Sequence, residues 1–359
     1  AGLEVDAAAI GVELERRRRG HGSGRRMAIE QDEIEILGGV RFGRSLGSPI
    51  AILVRNTEWP KWQEEMATGP GKARRPMTTP RPGHADLAGM LKYDTHDARD
   101  ILERASARET AARTVVGYLA KQLLHTAAVD VVGWVAAIGD VVADAAIPAV
   151  DDRERIEASP VRTPNPEDER LMMAAIDAAR GARDTLGGII EVVAHGLPAG
   201  IGSHVHPDRR LDARLAAALM SIQAMKGVEV GDGFAGAARP GSAAHDEIVY
   251  ADGEFTRTSN RSGGIEGGMS AGGPLRVRVA MKPLSTLMRP LQTVDVESKA
   301  DDVAFRERSD VCAVPRGVVV CEAMMSIVLA QEMQRQFGGD TVADFQAAVE
   351  RYRGRLRAF

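Results

Sequence analysis

The sequence predicts an α+β fold in one large domain spanning residues 1–359. The chain has 359 residues, 44% of them hydrophobic and 27% charged. That is enough for a sizeable core and lies outside the disordered range. Strand-like and helix-like segments follow one another without a steady alternation, which argues against a doubly wound parallel sheet. No low-complexity linker and no short repeat divides the chain.

The elements follow in order. "DAAAIGVELERRRR", from Asp6, reads as a short helix capped by Asp6 and closed by Gly20, with Ile10 and Leu14 on one face. Between Ile34 and Asn56, "IEIL" and "PIAILV" predict two or three strands. Residues 60–82, rich in proline and charge, read as a long loop. One long helix is expected from Asp97, with Ile101, Ala105, Ala112, Val116, Leu119 and Leu123 on its buried side. Residues 127–148 suggest strands, and a helix is expected from about Asp168 to Arg183. "IIEVVAHGL" reads as a strand. "LDARLAAALMSIQAMKG" reads as a helix closed by Gly227. "IVYADGEFTRT" reads as a hairpin around Asp252-Gly253, and "LRVRVAM" as a strand. "RGVVVCEAMMSIVLAQEMQRQFGG" is expected to turn from strand to helix, and the C-terminal stretch is amphipathic.

Composition narrows the function. A net charge of −4 and 4% aromatic residues give no footprint for nucleic acid. The apolar stretch 127–150 is interrupted by Asp130, Asp140 and Asp144, so no membrane span is expected there. No basic segment followed by an apolar run opens the chain, so no export signal is expected. Cys312 and Cys321 have no histidines at ligand spacing; no metal site is expected, and a reduced, cytoplasmic setting fits.

Several segments carry groups suited to chemistry. "RRRRGHGSGRR", residues 16–26, holds six arginines among glycines. A helix C-terminus favours positive charge, which suffices for Arg16 to Arg19. It does not explain the run onward to Arg25 and Arg26, where glycine amides and forked guanidinium groups suit a phosphate or carboxylate. The chain has 7 lysines against 39 arginines, so part of the run is compositional. In "RPGHAD", a proline and a glycine shape a turn that presents His84 next to Arg81 and Asp86. "SNRSGGIEGGMSAGGPL" reads as paired tight turns or as backbone brought against a flat ligand. It lacks the strand–GxGxxG–helix order of a dinucleotide site, and no Walker loop occurs. "ERASARE", "MKPLSTL" and "FRERSDVCAVP" read by default as helix packing, a strand end and a charged turn.

Taken together and in order, "NTEWPKW", "RPGHAD", "LKY", "ERASARETAAR", "SIQAMKGVEVGDGF", "GSAAHDE", "NRSGGIEGGM", "MKPLSTL" and "RSDVCAVPRGVVVCEAM" resemble the bacterial, monofunctional form of chorismate synthase from about Leu3 to Gly339. The resemblance implies a β-α-β sandwich with helices between antiparallel sheets, and a homotetramer. It implies a lyase of the shikimate pathway, which leads to the aromatic amino acids. That family eliminates phosphate in a 1,4 sense from 5-enolpyruvylshikimate 3-phosphate to give chorismate. It needs reduced FMN, for which NADPH is the indirect electron source. With no added reductase domain apparent, an external flavin reductase is expected.

Site roles follow from matching motifs. The resemblance places His84 beside the flavin ring, and Asp310, supported by Ser309, near flavin N5. It assigns Arg104, Ala105, Ser106, Gln223, Ala224, Gly267, Lys282, Pro283, Leu284, Ser285, Thr286 and Arg308 to FMN. It assigns Arg17, Arg26, Arg81 and Arg108 to the substrate, with Arg308 facing the substrate as well. Ser23 falls in the substrate segment where the family carries an arginine, a difference worth about 1.5–3 kcal/mol of charged hydrogen bonding. The family's Gly-Glu-Ser-His-Gly, whose histidine protonates the departing phosphate, does not occur in this sequence and would align upstream of Ala1. His21 is the nearby imidazole that could stand in for it. These departures leave two other readings open: a paralogue acting on a related enolpyruvyl compound, or a catalytically impaired flavin-binding homologue.

Overall fold

The computed structural model describes residues 1–24, 32–251, 253–307 and 309–359. Its centre is a five-stranded antiparallel sheet. The strand order is Val141–Val142, Asp130–Ile138, Gly188–His195, Leu275–Met281, Met225–Val230. Leu275–Met281 alternates strictly between buried and half-buried residues, so Leu275, Val277, Val279 and Met281 face the core while Arg276 and Arg278 face outward. Arg276 and Arg278 are matched by Glu191 and Glu229 on the neighbouring strands.

The helix Val314–Phe337 lies across the inner face of that sheet. The sequence reading expected a strand through Val318–Val320; it is helix from Val314 onward. Valines favour strands only weakly. Here Val318, Val319, Val320 and Cys321 are buried on every side, so packing outweighs propensity, and Pro315 opens the first turn. The helix is long and apolar enough to cross a membrane, but 78% of that apolar stretch is buried within the fold. Thr110–His125 packs beside it so closely that a Cβ on Gly117 would stand 2.2 Å from Ala323 Cβ.

Ala7–Arg18 adds a third helix, with Asp6 accepting from Ala8 N at 2.8 Å. Its Ile10 and Leu14 join Ala111, Val115 and Tyr118 in a second core. That core is covered by the antiparallel pair Ile34–Gly38 and Ala51–Val54 and the smaller hairpin Val40–Arg41 with Arg44–Ser45. Helices therefore lie between antiparallel sheets in a mixed α+β domain. Hairpin Ile248–Ala251 with Glu254–Arg257 forms as expected; Asp252 of its turn lies outside the described residues.

Two expected helices are shorter than the pattern suggested. The segment from Asp97 is broken at Ser106, which has ψ 135° and accepts from Arg108 N at 3.3 Å. It yields Arg99–Ala105, a turn at Ala107–Glu109, and Thr110–His125. The break resets the buried stripe to Ala111, Thr114, Val115 and Tyr118, leaving Ala112 and Val116 outside. Leu211–Met220 stops before Gly227 because Ala224 takes a left-handed φ of 68° and turns the chain into the strand Met225–Val230.

Candidate active site

These breaks meet around one cavity of about 420 Å³. Arg17 reaches it from the first helix, Arg81, Gly83, His84 and Ala85 from the Pro-Gly turn, and Ala105–Arg108 from the break at Ser106. Gln223–Lys226 come from the left-handed turn, Lys282 and Leu284–Thr286 from the end of a sheet strand. Gly24, Ser309, Asp310, Ala313 and Arg316 complete it.

The turn is held by Asp86, whose side chain is fully buried. Gly83 has φ +75°, the left-handed backbone that the Arg-Pro-Gly-His order calls for. Asp86 Oδ2 accepts from Arg81 N at 3.0 Å and Nε at 2.8 Å, and Oδ1 accepts from Arg81 Nη2 at 3.1 Å and from His84 Nδ1. Burial pushes the Asp86 carboxyl up, but the hydrogen bonds from His84 and Arg81 outweigh it and hold it well below the usual carboxylate range. Arg81 also donates to Thr286 Oγ1 at 2.9 Å and stacks 4.5 Å from the Phe305 ring centre. His84 is thus anchored on one edge while it lines the cavity.

Opposite, Arg17 and Arg108 converge on Asp32. Arg17 Nη2 lies 3.3 Å from Asp32 Oδ2, Arg108 Nη1 bonds Oδ1, and the Asp32 side chain is fully buried. Arg108 also donates to Arg55 O at 3.2 Å. Asp310 is held similarly, with Oδ1 accepting from Gly24 N at 2.7 Å and Oδ2 paired with Arg316. Between these poles, Gln223 donates from Nε2 to Glu109 at 3.1 Å, and its Oε1 is buried without a hydrogen-bond partner. Lys282 Nζ donates to Gly83 O at 2.7 Å; burial, then the charge of Lys226, push its ammonium group down.

The structure therefore brings Arg17, Arg81, His84, Ala105, Ser106, Arg108, Gln223, Ala224, Lys282, Leu284, Ser285, Thr286, Ser309 and Asp310 to one cavity. It leaves others off the lining. Arg104 is exposed on its helix, and Pro283 lies in the strand end that packs on Gly187. Gly267 sits in the turn between Ile265–Glu266 and Met269–Ser270, 4.0 Å from His204 where a Cβ would be. Ser23 turns back to donate to Gly20 O at 2.7 Å, and His21 Nε2 pairs with Asp177 at 2.8 Å. His21 is therefore engaged by Asp177 and does not line the cavity. Arg26 and Arg308 lie outside the described residues. Asp32, Glu307 and Arg316 were not singled out from the sequence. An acid just before a strand, or an arginine inside an apolar helix, has no local signature. No group of His, Cys, Asp and Glu suited to a metal occurs among the described residues.

The donor set suits a flat anionic cofactor. The cavity volume is in the range of small-molecule sites, roughly 300–1,000 Å³. Gln223 Oε1 wants a donor, Lys282 and Arg81 offer charge, and Ala105, Ala224 and Leu284 offer an apolar face.

The model of the family described as chorismate synthase matches residues 1–334. A chorismate synthase of Acidothermus cellulolyticus is 55% identical over 362 residues, covering 98% of this chain and 92% of that protein. One of Thermobifida fusca is 55% identical over 367 residues, covering 99% and 93%. A solved crystal structure of chorismate synthase matches 100% of this chain and 92% of its own, with a TM-score of 0.80 at 38% identity. Such matches favour neither a paralogue on another compound nor a non-enzymatic homologue. The chain belongs to the chorismate synthase family.

Proposed function

We propose that the cavity holds reduced FMN and 5-enolpyruvylshikimate 3-phosphate together, and that the phosphate is eliminated there to give chorismate. As a chorismate synthase the protein is a lyase acting on that phosphate ester, and it needs a reduced flavin. The observation that carries the reading is that guanidinium groups, His84 and Asp310 converge on one cavity with the unpaired Gln223 Oε1. Held by Gln223, Lys282, Ser285 and Thr286, reduced FMN would supply transient electron density for cleavage of the C–O bond, with no net oxidation.

The protein's own groups do the rest. Arg17 and Arg108 neutralise phosphate and carboxylate charge through forked hydrogen bonds, a task the matching motifs also assign to Arg26 and Arg308. Arg81 is locked by Asp86 and Thr286, so it meets the substrate without further ordering. His84, fixed by Asp86, presents its ring to the flavin edge and steadies its protonation state. Asp310, held from two sides, accepts or orients the proton at the flavin side. Gln223, Lys282, Ser285 and Thr286 hold the cofactor's polar edge. Ser106 and Ala105, at the helix break, bring backbone close to it.

Because these arginines and the flavin surface share one wall, FMN binds much more tightly with the phosphate ester present. Fluorescence titration of oxidised FMN with and without the ester tests this; equal affinities would count against a shared cavity. We also propose a homotetramer in the cytoplasm, supplied with reduced FMN by a separate NADPH-dependent reductase. The hairpin that exposes Ile248 at 63%, Tyr250 at 66% and Phe255 at 52% supports self-association. A monomer by light scattering at micromolar concentration would refute it.

A further inference from the structure

We infer that Arg316 is a positioning residue for Asp310, acting on the reaction through that carboxylate. The inference rests on the reading that Asp310 serves the flavin side of the site. Asp310 retains only 10% exposure of its side chain, so its charge needs a fixed partner. Arg316 Nη2 bonds Oδ2, while Gly24 N bonds Oδ1 at 2.7 Å. Each oxygen is thus held by a different segment, and the carboxylate cannot rotate without losing one of them.

Arg316 is itself fixed. It stands in the first turn of Val314–Phe337, where Pro315 O accepts from Arg162 Nη1 at 2.6 Å. Its stem lies under Gly20, where a Cβ would meet Arg316 Cγ at 3.3 Å. A Cβ on Gly22 would stand 3.1 Å from Cys312 N, and one on Gly24 2.8 Å from Ser309 O. Val311 N also donates to Gly22 O at 2.8 Å. The glycines of "GHGSG" therefore bring backbone against the segment that carries Asp310. The amide that approaches an anion there, Gly24 N, approaches this internal carboxylate. Arginine stays charged at any working pH, so the partner it provides is permanent.

A double-mutant cycle in the full-length protein tests this, using anaerobic turnover with photoreduced FMN. Arg316→Ala should lower kcat about 100-fold, the lower end expected for losing a positioned proton-transfer group. The substrate KM and the FMN Kd should stay within about threefold, because neither ligand's grip is removed. Arg316→Lys should recover part of kcat, and added guanidinium ion should restore turnover to Arg316→Ala. In an Asp310→Asn background, Arg316→Ala should cost nothing further. Near-normal kcat in Arg316→Ala, or losses that multiply in the double variant, would overturn the inference. If Arg316→Ala fails to fold, the same cycle run with Arg316→Lys and Arg316→Gln decides it by the same criterion. Normal turnover in Asp310→Asn alone would instead sink the reading of Asp310 on which this depends.

Discussion

Replacing Asp86 with asparagine should cost both stability and turnover, and the stability cost can be worked from the geometry. The side chain is fully buried and accepts from Arg81 N, Nε and Nη2 and from His84 Nδ1. Asparagine keeps the shape but turns one acceptor into a donor that faces donors. Breaking one partner of a buried ion pair costs roughly 3–5 kcal/mol. Arg81 keeps its bond to Thr286, its stacking on Phe305 and a distant Glu307 at 4.0 Å, so the lower end applies. The expected loss is about 3 kcal/mol, or about 6 °C of melting midpoint at about 2 °C per kcal/mol. The pH dependence has a definite sign. Asp86 is held below its ordinary value, so its contribution is complete above the unfolded carboxyl pKa of about 3.9 and is lost only as pH falls through the lower folded value. Urea unfolding of parent and variant at pH 7 and pH 5 should therefore give the same deficit. A deficit under about 1 kcal/mol, or one that fades between those pH values, would refute the account of Asp86 as a buried ionised anchor.

Two further outcomes are expected. His84→Ala should cut anaerobic turnover about 10²–10⁴-fold. Its melting midpoint should barely move, because Asp86 keeps its bonds from Arg81; normal turnover would show that the imidazole is not part of the chemistry. Glu322→Gln should destabilise by about 3–5 kcal/mol, since the buried carboxylate accepts from Arg16 at 3.1 Å, Lys121 at 2.7 Å and Gly133 N at 2.8 Å. Burial pushes that carboxyl up, but Arg16 and then Lys121 hold it well below the usual range. A calorimetric midpoint within a degree of the parent would contradict this.

Much of the architecture is legible in residue patterns, and the misreadings share a cause. The strand Leu275–Met281 and the helix Leu211–Met220 follow their periods because each has one buried face. Val318–Val320 misleads because both sides are buried, which removes the period that tells strand from helix. Ser106 and Ala224 break regular elements with ordinary residues, so the breaks carry no glycine or proline to announce them. Both breaks line the cavity. The site residues that local pattern does name, Arg81 and His84, sit in a turn whose sequence dictates its shape. Those it misses, Asp32 and Arg316, matter through partners 76 residues away in one case and 6 in the other, each requiring the fold to bring them together.

The buried carboxylates also explain how so cationic a cavity is held together. Arg17 and Arg108 side by side would repel one another and lose hydration as they are buried. Asp32, fully buried between them, offsets that repulsion and sets the spacing of the two guanidinium groups. Asp86 does the same for Arg81, and Asp310 for Arg316. Each of these arginines is therefore held in place by an internal anion, and on the proposed reading Arg17, Arg81 and Arg108 present their fixed planes of donors to the ligand already ordered. If these arginines hold the substrate as proposed, its affinity is moderated by this sharing, because part of each positive charge is already answered. What the arrangement gains is order: the dianion meets arginines that need not be gathered, which is where preorganised electrostatics lower a barrier.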